Sequence, residues 1–271
     1  MLSERCSCAE LSVNGKFEHY QNGQKQKNVM NTATLNPQKD PMGTAMYDFL
    51  LTGKSARLRV LSSMFDEDEI DVRYLFRTEE QMPKLERKAL ELARGHVLDV
   101  GAGTGCHALA LQDRMPVTAI DISQLSQQVM QKRGVLDARC INLYDFRLEG
   151  TYDTILMLMN GTGIIGTMQN MSSFFARMRT LLAHDGQILI DSSDLKYLYE
   201  DEDGSCDIDI YGDYYGEVDY SMVYRDVKGE PFDWLYVDFN TLRAVAMANG
   251  FRCEQVMAGD HYDYLARLTI R

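Results

Sequence analysis

Between residues 97 and 105 the chain reads VLDVGAGTG, an apolar run that leads into three alternating glycines ahead of a helix-forming stretch at Cys106. A strand buried on both faces in a parallel sheet is apolar throughout. The backbone that leaves it for a helix turns through conformations that glycine adopts without steric cost. The segment therefore predicts a strand–turn–helix unit of an α/β sheet, with a ligand over the turn. Glycine spacing narrows the ligand class. A dinucleotide fingerprint reads G-x-G-x-x-G, whereas here Gly101, Gly103 and Gly105 are followed by Cys106 in the sixth place. Asp99 adds a carboxylate near the end of the strand, which repels pyrophosphate and suits a cationic amino group.

Further units of the same kind follow. Strands are expected at 96–100, 117–120, 138–143, 154–159 and 187–191, with helices at 106–113, 124–132 and 169–182 between them. Such alternation predicts a doubly wound, mostly parallel sheet with helices on both faces. The last part changes: a helix at 241–249 is stopped by Gly250, and strands at 252–257 and 262–270 are joined by the turn 258–261. The α/β fold should thus have seven strands and close on a C-terminal antiparallel hairpin. Asp121, twenty residues past Gly101, ends the second strand, where a carboxylate accepts hydrogen bonds from both hydroxyls of a ribose.

VLDVGAGTG, AID at 119–121, INLYD at 141–145 and YDTILMLMNG at 152–161 resemble, in order, the cofactor motifs of class I S-adenosylmethionine (SAM)-dependent methyltransferases. The resemblance spans roughly residues 95–271, by motif order. It implies SAM as cofactor and methyl transfer to a nucleophilic nitrogen, oxygen or sulfur. By the same resemblance Asp99, Gly101, Ala102, Gly103 and Gly105 would hold the methionine part, Asp121 with Ile122 beside it the ribose, and Asn142 with Leu143 the adenine edge. Many relatives carry Asp where Asn142 stands, so Asp145 competes for the adenine contact. Asn160 and Gly161 match the position that lines the space between sulfonium and acceptor. The runs VRYLFR, GQILIDSSD and GDHYDYLARL resemble a bacterial subgroup whose acceptor is unassigned. Two alternatives stay open on this fold. One is a NAD-dependent oxidoreductase, which Asp99, the early Gly105 and the terminal hairpin disfavour. The other is a non-catalytic SAM-binding regulatory protein, since cofactor residues establish binding and not turnover.

Residues 1–40 are polar and short of core-forming side chains, so they read as a disordered tail. Residues 41–94 read as a cap, with a helix at 44–51, a strand at 57–61, an acidic loop at 66–71, the run VRYLFR and a helix at 79–93. In the cap Arg73, Tyr74 and Arg77 are candidates to bind an anionic acceptor group; equally, the arginines pair with the acidic run before them. Residues 195–239 read as a β-rich insert over the site, with hairpin strands at 216–224 and 234–238 and an aromatic lining that includes Tyr214 and Tyr215. Ligands lie over the carboxyl ends of parallel strands, which makes His261 the best-placed base, Asp194 the second, and Asn160 a catalytic-edge residue.

The formal net charge of −12 works against a nucleic-acid partner, because such affinity comes from Lys and Arg neutralising phosphates, and it favours a small-molecule acceptor. The apolar runs are shorter than a membrane span. Six scattered cysteines, with only Cys6 and Cys8 close together, fit a reducing, cytoplasmic setting and no metal site. A calcium loop at 199–210 is ruled out by Tyr199 and Ile210 at its two key ligand places. Oligomeric state is not legible.

Overall fold

The computed structural model describes residues 31–200 and 212–271. Cys6, Cys8 and the rest of the tail through residue 30, Cys206, and most of the rejected calcium loop lie outside the described residues. Residues 31–40 correct the tail reading. Leu35 donates its amide to the Ile122 carbonyl and the Asn142 side chain donates to the Ala33 carbonyl, both at 2.9 Å. Polar attachments to the main sheet thus replace the apolar core this segment lacks. Asp40, only 1% exposed, caps α1 (Pro41–Thr52) by accepting from the Gly43 amide, and Gly53 ends the helix in the left-handed conformation.

The acidic run read as a loop instead supplies an edge strand. β1 (Leu58–Leu61) and β2 (Asp68–Ile70) are antiparallel, and Arg57 and Arg59 on or beside β1 pair with Glu69 and Glu67. VRYLFR forms a 3-10 turn, Val72–Phe76. The single helix expected at 79–93 is divided at Pro83, which lacks an amide donor, into a 3-10 turn Glu79–Gln81 and α2 (Lys84–Leu92). Leu85, Ala89 and Leu90 of α2 face the core beneath the main sheet.

The main sheet then builds in order: β3 (Val97–Val100), α3 (Cys106–Leu111), β4 (Val117–Asp121), α4 (Gln124–Arg133), β5 (Ala138–Cys140), β6 (Tyr152–Met157), α5 (Met171–Leu181) and β7 (Leu182–Ser193). After β7 come β8 (Glu217–Tyr224), β9 (Val227–Lys228), β10 (Phe232–Leu235), α6 (Phe239–Ala248), β11 (Phe251–Ala258) and β12 (Asp263–Ile270). The sheet order is β11-β12-β7-β6-β3-β4-β5, with β12 reversed against its neighbours. This is a mixed α/β Rossmann-like sheet of seven strands. β3 is buried along its whole length, as its apolar sequence requires. The order reverses between β3 and β6, so the turns after these two strands flank the crevice where open α/β sheets take ligands.

Cap and insert, expected as separate elements, share a second sheet of order β10-β8-β1-β2, with β9 on β8. Among the described residues no helix is long and apolar enough to cross a membrane.

Candidate functional site

The turn after β3 folds back on β4: the amides of Gly101 and Ala102 both donate to the Ile120 carbonyl, at 2.9 and 3.0 Å. Gly101, Gly103 and Gly105 all have positive φ, but they do different work. A Cβ on Gly105 would lie 2.6 Å from Val135, so this glycine lets α3 pack against the chain after α4. A Cβ on Gly103 would meet nothing nearer than 3.9 Å, where Met46 of α1 and the Gly101 carbonyl stand. A Cβ on Gly101 would lie 3.0 Å from Ile164, across the crevice. The backbone at Gly103 therefore borders open space, a cradle that any side chain would narrow.

Two carboxylates flank that cradle. Asp99 is 2% exposed, and its Oδ2 has no hydrogen-bond partner among the described residues. A buried carboxylate oxygen left without a donor is costly, and it points to a ligand cation or donor that completes the site. Asp121 accepts from the amides of Gly103 (2.9 Å) and Ser123 (2.8 Å), one on each oxygen. Its burial outweighs those amides and pushes its pKa up to about 6, with Asp40 nearby adding repulsion. The set therefore fits a ligand with a cationic group at Asp99 and hydroxyl donors at Asp121, as an aminoacyl nucleoside would present them.

Farther along the edge, two adjustments to the expected contacts emerge. Asn142 spends its amide nitrogen on Ala33 and its Oδ1 on the Tyr144 amide, so its side chain anchors the N-terminal segment. Asp145 is paired with Arg147, whose guanidinium at 2.5 Å holds the carboxyl down to about 2. Leu143 is buried and Ile122 is 37% exposed at the same edge. After β6, Met159 and Asn160 both adopt left-handed φ, a strained pair for residues that carry a Cβ. Asp191 of β7 holds this turn: its oxygens accept from the amides of Met159 (3.1 Å) and Gly161 (2.9 Å), and Ser193 donates to Asn160 Oδ1 at 2.8 Å. Burial pushes Asp191 up to about 6 as well. Its strand-end place, in the run Asp191-Ser-Ser-Asp194, was the available clue.

The acceptor-side candidates divide. Asp194 donates its amide to the Tyr262 carbonyl, which brings the His261 turn to the end of β7; the His261 side chain is exposed there. Asp194 Oδ1 accepts from the Tyr215 hydroxyl at 2.8 Å, and the Tyr214 hydroxyl donates to Asp238 at 2.7 Å, so both tyrosines position carboxylates. Arg77 is corrected outright. It is 4% exposed and paired with Glu86 of α2, not with the acidic run before it, and so is not available to an acceptor anion. Arg73 and Tyr74 remain on the exposed side of the same turn. Cap and insert both touch the crevice: Thr104 donates to the Leu75 carbonyl, Trp234 packs on Gly163, and Thr162 donates to the Leu235 carbonyl.

Comparison with known proteins agrees with this geometry. A family model described as a methyltransferase domain matches residues 97–186. A crystal structure of a SAM-dependent methyltransferase from Bacteroides fragilis, in complex with S-adenosyl-L-homocysteine, is 60% identical, with a TM-score of 0.84 over 89% of this chain and 99% of that one. The malonyl-[acyl-carrier protein] O-methyltransferase of Geobacter sulfurreducens is 32% identical over 94 residues, and the match spans 35% of that relative's length and 33% of this chain. A methyltransferase of Clostridium acetobutylicum shares the fold at 15% identity, with a TM-score of 0.50, covering 67% of this chain and 86% of that one.

Proposed function

The chain belongs to the class I SAM-dependent methyltransferases, and from that premise we propose that it methylates a nitrogen, oxygen or sulfur of a small molecule held between the Asn160 turn and the sheet shared by cap and insert. Membership in this family sets aside the oxidoreductase, and turnover with an acceptor separates an active enzyme from the non-catalytic alternative. The observation that supports a small acceptor is the contact of cap and insert with both turns that border the crevice, at Thr104 and at Thr162–Gly163. An acceptor that must pass these elements is more readily a metabolite than a folded macromolecule. The net charge of −12 works against nucleic acid in the same direction.

SAM supplies a methyl group already activated on a sulfonium, so the transfer is an in-line displacement. The protein's residues bind and orient. In this reading Asp99 meets the amino group, the Gly101–Gly105 turn receives the methionine part, Asp121 accepts from the ribose hydroxyls, and Asn160 and Gly161 border the path to the acceptor. An acceptor that must lose a proton would give it to Asp194, which Tyr215 orients, or to His261 on the adjoining turn. The acceptor of the Geobacter relative is not carried over, because its match covers a third of the chain.

The test is incorporation of methyl-deuterated SAM into a metabolite extract, read by mass spectrometry beside protein and nucleic-acid fractions. A metabolite that gains one labelled methyl supports the reading. Label confined to protein or nucleic acid overturns it.

A further inference from the structure

Next to Asp99 lie three buried charged groups that the cofactor reading does not use, Arg77, Glu86 and His107. His107, on the first turn of α3, is 5% exposed. Its Nε2 is 2.7 Å from Glu86 Oε2, and its Nδ1 is 3.8 Å from Asp99 Oδ1, an ion-pair distance longer than a hydrogen bond. The same Glu86 oxygen accepts from Arg77 Nε at 3.1 Å and Nη2 at 2.5 Å. The chain Arg77–Glu86–His107–Asp99 is electrically balanced only when the imidazole carries a proton. A neutral ring would leave one carboxylate charge uncompensated in a region of low dielectric.

The groups around His107 act in the same direction. Burial by itself lowers an imidazole's pKa, but the adjoining Cys106, Asp99 and Glu86 outweigh it and hold His107 well above the ordinary histidine value. Asp191 faces the same cluster from β7, and Tyr74 places its ring 4.5 Å from the Arg77 guanidinium. Asp99 Oδ2, by contrast, has no hydrogen-bond partner among the described residues.

We propose that His107 is a positioning residue for Asp99: an imidazolium clamped by Glu86 engages one oxygen of the Asp99 carboxylate and so leaves the other turned to the ammonium of the cofactor. This rests on the reading of Asp99 as the residue that meets that ammonium. Glu86 and Arg77 act one step farther back, by fixing the imidazole.

The test compares calorimetric binding of SAM, S-adenosylhomocysteine and 5′-methylthioadenosine, which keeps the adenosine but lacks the amino-acid part. Asp99→Asn should weaken the first two by about tenfold to a hundredfold and leave the third within about twofold, because only the first two bring an ammonium. His107→Gln keeps a donor toward Glu86 and removes the charge, and it should show the same selectivity. If Asp99→Asn is selective and His107→Gln is not, the positioning role is overturned while the reading of Asp99 stands. If neither is selective, both fall. A buried substitution can unfold the chain, so the charge state is also read in the unaltered protein. Nitrogen-15 spectra of the ligand-free enzyme at pH 7.5 should show both His107 ring nitrogens protonated, and a neutral ring there overturns the proposal.

Discussion

Asp121 makes cofactor binding depend on pH in a direction the structure specifies. Its carboxyl has a pKa of about 6 because burial penalises the charge more than the amides of Gly103 and Ser123 stabilise it. Ribose hydroxyls that donate to Asp121 stabilise only the ionised form, so binding pulls this pKa down and releases a proton in acid. At pH 5, one unit below the ligand-free value, roughly a tenth of the molecules carry the charge. Affinity for SAM should therefore be about tenfold weaker at pH 5 than at pH 7.5, a difference of ~1.4 kcal/mol. The effect on folding has the opposite sense. An acid whose pKa is raised from 3.8 to about 6 keeps its proton in the folded state where the unfolded chain has lost it. The ligand-free protein thus loses stability as pH rises across that window.

The assay is titration calorimetry at both pH values in two buffers of different ionisation enthalpy, which counts the protons released. Asp121→Asn can satisfy only one of the two amides and carries no charge. It should bind more than tenfold more weakly at pH 7.5, since charge-assisted hydrogen bonds contribute roughly 1.5–3 kcal/mol each, and its affinity should barely change down to pH 5. Asp191 is the control, because its pKa is also about 6 but its oxygens serve the Met159 and Gly161 amides. Asp191→Asn should keep the wild-type slope. A slope that survives in Asp121→Asn would refute the reasoning and place the proton elsewhere.

Glycine substitutions separate cradle from fold. Gly103→Ala and Gly134→Ala both impose a left-handed φ on a residue with a Cβ, at a cost of about 1–2 kcal/mol in thermal unfolding, but only Gly103→Ala should also weaken SAM binding, by more than tenfold. Asp191→Ala frees the two amides that hold the strained Met159–Asn160 turn; kcat should fall at least tenfold while the Kd for SAM changes less, measured by single-turnover transfer and calorimetry. Replacing Tyr214 and Tyr215 together by Ala should impair transfer and leave SAM affinity within about twofold, because the cofactor residues are complete before the insert begins; collapse of cofactor binding in a folded variant would assign the insert to the cofactor instead.

The cofactor side was readable in the sequence because its geometry is local. A strand, a tight turn and a helix are adjacent in the chain, so Asp99 and the three glycines declare their places by spacing alone, and the end of β4 does the same for Asp121. What escaped is what depends on packing between distant segments. Nothing local in His107 or Glu86 distinguishes a surface pair from a buried one; their burial follows from α2 lying under the glycine turn. Asn142 and Asp145 looked like adenine contacts because of their motif positions. What the motif positions do not report is that both side chains also bind neighbours outside the motif, Ala33 and Arg147.

The second sheet is the clearest case of a long-range pairing that short patterns do not report. β1 and β8 come from opposite halves of the chain, and no turn joins them, yet they pair in the register Leu58↔Tyr224 through Leu61↔Ser221. Tyr224 then reaches back to Asp48 of α1, and Met46 of the same helix stands beside Gly103. A single stretch of structure thus connects the insert, the cap and the glycine turn. An acceptor held against the insert would be linked through β8, β1 and α1 to the rim of the cofactor cradle. Acceptor and cofactor should therefore influence each other's binding, and by linkage the effect must be equal in both directions.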